Sequence, residues 1–144
     1  MKVVIQRVNK ASVSVQKKVC GSINKGLLLL SCVMEEDNDN SLDYFVKKIV
    51  NMRIFEDEKG LMNKSLLDIN GEILSISQFT LAANTKKGNR PSFLGVKEKK
   101  EAKRMYELFN EKLSEFVNVE KGVFGADMKI EASLDGPVTI EMEK

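Results

Sequence analysis

Ser77-Gln78-Phe79-Thr80-Leu81 passes at once into Ala82-Ala83-Asn84-Thr85-Lys86-Lys87-Gly88-Asn89-Arg90-Pro91-Ser92-Phe93. Hydroxyls, an amide and main-chain N–H groups therefore meet three cations in one short span. Such a run suits a substrate with an ester or carbonyl at one end and phosphates at the other. It equally fits a strand edge followed by a solvated Lys-rich turn. The chain has no His, so a Ser-His-Asp or Cys-His hydrolase is excluded and metal-activated water loses its commonest ligand. Two mechanisms then compete. Thr80 could act as a nucleophile, which needs a base that the sequence does not place beside it. Alternatively, the N–H groups around Phe79 and Thr80 stabilise the oxyanion formed as water attacks an ester, one such donor being worth about 3 to 4 kcal/mol.

These residues need a scaffold. Glu72-Ile73-Leu74-Ser75-Ile76 is rich in β-formers and alternates loosely, which puts Ser77 to Thr80 at a strand end. Val3 to Val8 and Ser12 to Val15 alternate, and Gly21 with Asn24-Lys25-Gly26 punctuates the run into Leu27 to Val33, predicting an antiparallel meander. Asp37-Asn38-Asp39-Asn40 supplies capping residues before Leu42, Phe45, Val46, Ile49 and Val50 at helical spacing. Arg53 to Phe55, the turn Asp57-Glu58-Lys59-Gly60 and Leu61-Met62 predict a hairpin. Ala102, Met105, Tyr106, Phe109, Leu113 and Phe116 trace the stripe of a second, longer helix. Gly136-Pro137 reads as a rigid turn before a strand from Val138 to Met142, with trans the default isomer by about 0.5 to 1 kcal/mol. Two amphipathic helices among many short strands predict a mixed α/β fold with the helices on one side of the sheet.

At 144 residues, with 42% hydrophobic and 31% charged residues, the chain is expected to form one domain over residues 1–144. No apolar run approaches a membrane span, and Met1-Lys2-Val3-Val4-Ile5 enters a strand directly without an export signal, so a cytoplasmic, membrane-free protein is expected. Cys20 and Cys32 are too far apart for a CxxC pair and read as reduced, strand-packed thiols. A net charge of +2 is too small for bulk nucleic-acid binding, so any RNA contact must be local. Lys86, Lys87 and Arg90 are the first candidates. Lys97, Lys99, Lys100, Lys103 and Arg104 interleave with Glu98, Glu101 and Glu107 and read as a self-paired helix face.

The Ser77 to Thr80 segment and its basic continuation resemble the Ser-Gln-x-Thr motif of D-aminoacyl-tRNA deacylases. The likeness extends through Gln6-Arg7-Val8, Ala11-Ser12-Val13, Gly26 to Leu30, Arg53 to Glu58 and Met62 to Leu66. It continues in Gly125-Ala126-Asp127-Met128 and Asp135-Gly136-Pro137-Val138-Thr139. It therefore covers essentially the whole chain. Leu134 departs from the Asn that family members commonly carry before Asp-Gly-Pro.

The resemblance implies a three-layer β/β/α sandwich of mostly antiparallel strands, working as a homodimer without metal or cofactor. It implies hydrolysis of D-aminoacyl-tRNA and of glycyl-tRNA, with the 2′-hydroxyl of the terminal ribose assisting in place of a protein base. Ser77, Gln78, Phe79 and Thr80 would form the catalytic motif. Gly136-Pro137 would be cis and project into the other subunit's site, where its carbonyls reject an L side chain at the α-carbon. Arg7 would hold that pair through main-chain oxygens, although a surface Arg paired with an acid is the competing reading. Lys86, Lys87 and Arg90 would contact tRNA phosphates. A related subgroup has trans Gly-Pro and relaxed chirality, but Arg7 and Ser77 to Thr80 match the strict group. Two rivals make different predictions: a non-catalytic RNA- or DNA-binding module, and a Thr-nucleophile esterase of small esters.

Overall fold

The computed structural model describes all residues, 1–144. Its first strand, β1 (Lys2–Val15), runs unbroken for 14 residues. β2 (Lys18–Ile23) folds back on the second half of β1, from Val15↔Lys18 to Ala11↔Ile23. β3 (Gly26–Cys32) pairs with the first half, from Val8↔Gly26 to Lys2↔Cys32. The expected meander is thus corrected, because β3 pairs with β1 and not with its predecessor β2. The exposed pair Asn9-Lys10, which looks like a break, lies within a strand whose register against its other partner shifts on either side of Val8.

A short hairpin of β4 (Phe55–Glu56) and β5 (Met62–Lys64) forms as expected, its turn fixed by the Asp57 carboxylate accepting from the Lys59 and Leu61 N–H groups. β6 (Glu72–Ser77) runs parallel to β3, and β7 (Val119–Lys121) parallel to β6. Gly26 permits the β3–β6 contact, since a Cβ there would fall 1.9 Å from the Glu72 carbonyl oxygen. β8 (Lys129–Glu143) pairs antiparallel with β1 from end to end. The sheet order is β2-β1-β3-β6-β7 with β8 also on β1. Antiparallel pairings predominate.

Helix α1 (Asp39–Asn51) starts at Asn38, whose side chain accepts from the Asn40 and Ser41 N–H groups in a capping box. It buries Leu42, Phe45, Val46, Ile49 and Val50, the face its spacing predicts. Helix α2 (Lys99–Ser114) buries Ala102, Met105, Tyr106, Phe109 and Leu113. Phe116 departs from the predicted stripe: the helix stops before it, and its ring is half exposed. The helices share one apolar cluster with Val3, Ile5, Leu27, Leu29 and Ile73 of the sheet. A second cluster of Val8, Val13, Ile23, Leu28, Leu74 and Ile76 fills the opposite face. Both helices therefore lie against one face of a mixed α/β fold.

The predicted self-pairing of this surface is present in part: Arg104 bonds Glu101 and reaches across to Asp39, and Lys103 pairs with Glu107, whereas Lys97 donates to the Glu35 carbonyl and Lys99 and Lys100 have no carboxylate partner. Of the two thiols, Cys32 is buried but Cys20 is exposed, because β2 is an end strand of the sheet order and turns this side chain outward. No helix is long and apolar enough to cross a membrane.

Candidate active site

β6 ends at Ser77, and the Gln78 N–H bonds the Ser31 carbonyl on β3 at 2.7 Å. The chain then tightens into a 3-10 turn, Phe79–Ala82, closed first by Leu81 N–H to the Gln78 carbonyl at 3.2 Å. A turn of this kind has no internal acceptor for its leading N–H groups, here those of Phe79 and Thr80. Main-chain donors are therefore concentrated at the strand end. The Gln78 amide donates to the Thr80 hydroxyl, which has no other hydrogen-bond partner in the protein. The base that a Thr nucleophile needs is not beside it.

Ser77, Gln78 and Phe79 line one side of a cleft of about 570 Å³. Phe124 to Met128, Lys97 and Lys99 line the same cleft. Cys32 also borders the cleft, but burial pushes its thiol pKa up, which keeps the thiol protonated and a weak nucleophile. The sequence reading did not assign Cys32, Phe124, Lys97 or Lys99 to the site. Gly125 to Met128 stood in a matching segment with no role attached, and irregular walls of this kind have no period to reveal them.

Beyond the turn, Asn84 and Ser92 exchange main-chain hydrogen bonds of 2.7 and 3.1 Å and pinch off the basic loop. The Asn84 side chain accepts the Lys86 N–H, and Gly88 takes a left-handed φ of 64° at the tip. Lys86, Lys87 and Arg90 are all exposed and none is paired with a carboxylate. The loop is tied to the strand end by Phe93, whose ring meets the half-exposed Phe79 ring edge-on at 5.1 Å.

Gly136-Pro137 is not a turn ahead of a strand. It lies within β8, where Gln6 pairs with Thr139 but Val8 pairs with Leu134, so Asp135 to Val138 bulge out opposite Arg7 alone. The Gly136-Pro137 bond is cis. Arg7 is only 4% exposed. It donates to the carbonyls of Ile54 (2.6 Å) and Asp135 (3.3 Å), pairs with the Asp135 carboxylate at 3.0 Å and lies 4.0 Å from that of Glu56. A surface Arg held by an acid alone does not describe it.

Ser77, Gln78, Phe79 and Thr80 are brought together with the basic loop. The bulge is not. Arg7 pairs with Leu27 on β3 while Ser77 pairs with Ser31, so the motifs lie four residues apart along the sheet and three strands apart across it. That is about 13 Å one way and about 14 Å the other.

A family model described as D-Tyr-tRNA(Tyr) deacylase matches residues 4–143. A solved structure of c-Myc DNA Unwinding Element Binding Protein superposes with a TM-score of 0.95 at 40% identity, over 100% of this chain and 99% of that one. A structure of a probable eukaryotic D-amino acid tRNA deacylase superposes with a TM-score of 0.85 over 98% and 97% of the two chains, and at 17% identity it speaks for the fold alone. With the family match spanning the strand-end motif, the basic loop and the Arg7-held bulge, the chain belongs to the D-Tyr-tRNA(Tyr) deacylase family, hydrolases that act on aminoacyl-tRNA.

Proposed function

We propose that this chain is a chiral proofreading enzyme that releases D-amino acids, and glycine mischarged on tRNA(Ala), from the terminal ribose of tRNA in the cytoplasm. The observation that carries the reading is the strand end itself, where Ser77, Gln78 and Phe79 line a cleft and the chain runs on, through the 3-10 turn that holds the Phe79 and Thr80 N–H groups, into a loop with three unpaired cations. Donors fixed in the backbone need no reorganisation as an oxyanion forms. An aminoacyl ester is already activated, so this help, with the ribose 2′-hydroxyl assisting, suffices without a protein base. Ser77 and Gln78 order the site, and Lys86, Lys87 and Arg90 hold phosphates.

Selection comes from Gly136-Pro137, whose carbonyls accept hydrogen on the α-carbon and reject a side chain there. Arg7 is their brace. The separation between bulge and strand end within one subunit supports a homodimer in which each bulge serves the partner's cleft. Glycine, with no side chain, passes the same filter.

The test is single-turnover release of tyrosine from D-Tyr-tRNA and L-Tyr-tRNA, against a no-enzyme control. Loss of the D form alone is the expected result. One relative at 40% identity is described as binding a DNA element, so the competing reading is a nucleic-acid-binding module. It predicts binding without turnover, and that outcome would defeat the proposal.

A further inference from the structure

Where β7 leaves β6, one edge of the strand that ends at Ser77 is handed to α2. Ile73, Ser75 and Ser77 turn their main-chain groups toward this edge: Ile73 N–H bonds the Asn118 carbonyl at 2.9 Å, and Gly122 N–H bonds the Ser75 carbonyl at 3.0 Å. The β6–β7 ladder stops at Ser75↔Lys121, so no strand stands opposite Ser77. Tyr106 occupies that place. Its hydroxyl donates to the Ser75 carbonyl at 2.8 Å, and Asn110 stands one turn further along α2 on the same buried face. Burial raises the phenol's pKa, so it remains a protonated donor. The same ring packs at 5.8 Å from Phe124, which lines the cleft.

Around this hydroxyl, the Ser75 Oγ and both amide atoms of Asn110 are buried with no hydrogen-bond partner, Asn110 being 2% exposed. Packing alone does not call for polar groups there. Ile73, two residues earlier on the same face of β6, belongs to the apolar core, and Asn110 sits among Met105, Tyr106, Phe109 and Leu113 on the buried side of α2. Unsatisfied buried polar atoms destabilise a fold, and an apolar residue of similar shape would not. We infer that Tyr106, together with Ser75 and Asn110, forms a positioning seam that replaces the departed strand and sets the Ser77 to Thr80 main chain against the cleft wall for the deacylation. The inference rests on the reading that this main chain carries the reaction. None of the three side chains need touch substrate.

Tyr106→Phe and Asn110→Leu test it, with three readouts beside wild type: single-turnover hydrolysis of D-Tyr-tRNA, tRNA affinity and the urea unfolding midpoint. Tyr106→Phe is expected to slow the chemical step roughly tenfold at unchanged affinity. Asn110→Leu is expected to slow it too, with a midpoint unchanged or raised. A residue that merely stabilised the fold would move the midpoint and leave the rate per folded molecule alone. If Asn110→Leu does not fold, Ser75→Ala removes one buried oxygen and is expected to act in the same direction. Rates within about twofold of an active wild type in these variants overturn the seam. A wild-type chain that binds tRNA without turnover overturns the deacylase reading, and the seam's role with it.

Discussion

On the proposed reading, the bulge from Asp135 to Val138 and the loop from Asn84 to Ser92 serve opposite ends of the substrate, and the two are anchored differently. The bulge faces a buried guanidinium that bonds two carbonyls and a carboxylate. The loop is closed by two main-chain bonds, and its three cations hold no carboxylate. A steric filter works only if its wall cannot yield, whereas phosphate attraction needs charge of the right sign within reach and little geometry. On the proposed reading, the tighter side-chain anchoring lies where chirality is judged and the looser where the nucleic acid is held.

Arg7→Ala should disturb this contrast most, because it leaves two carbonyls and a partly exposed carboxylate without their donor. A stability loss of about 2 to 4 kcal/mol is expected in urea unfolding, below that of a fully buried pair because Asp135 is partly exposed. A loss no greater than that of a surface Lys would show that the bulge needs no brace.

Gly136→Ala comes next. Gly136 holds φ at 118°, and a Cβ would sit 2.9 Å from Val138 Cγ2 and 3.0 Å from the Val138 nitrogen. The wall must shift, and the ratio of D-Tyr-tRNA to L-Tyr-tRNA hydrolysis should fall roughly tenfold or more at unchanged tRNA affinity. An unchanged ratio would remove the bulge from the site.

Replacing Lys86, Lys87 and Arg90 together by Ala should leave the fold and the chiral ratio intact. The slope of log affinity against log salt should lessen by about 2 to 3, at roughly 0.7 to 0.9 per lost phosphate contact. Arg104→Ala should do least, since Glu101 and Asp39 already neutralise that side chain. Its tRNA affinity should stay within about twofold of wild type, and a larger drop would move the interface onto α2.

Much of this architecture could be read from residue order, and the exceptions share a cause. Leu42, Phe45, Val46, Ile49 and Val50 were legible as a helix face because a single surface buries them all at helical period. The unbroken β1 was not, because Asn9-Lys10 imitates a turn while the strand carries on through shifts of register. The strand-end motif was legible from its change of composition at Ser77. The other lining segment of the cleft, Phe124 to Met128, was not, since irregular chain positioned by distant contacts leaves no local pattern. The bulge lay between: Gly136-Pro137 announced a special backbone, but only pairing with β1 reveals that the strand resumes on both sides.

That resumption constrains how the segment can drift. Val138, the last residue of the bulge, and Ile140 and Met142 beyond it pack against the main core, and the ladder from Thr139 to Glu143 is in register with Gln6 to Lys2. Side chains alternate along a strand, so a residue lost or gained within Thr139 to Glu143 would turn that apolar row outward, whereas one lost or gained between Leu134 and Thr139 can be taken up by the bulge with both flanks held in register. The identities of these residues can vary within what their backbone allows. The bulge is therefore where this strand can change length, and the ladder after it is where it cannot.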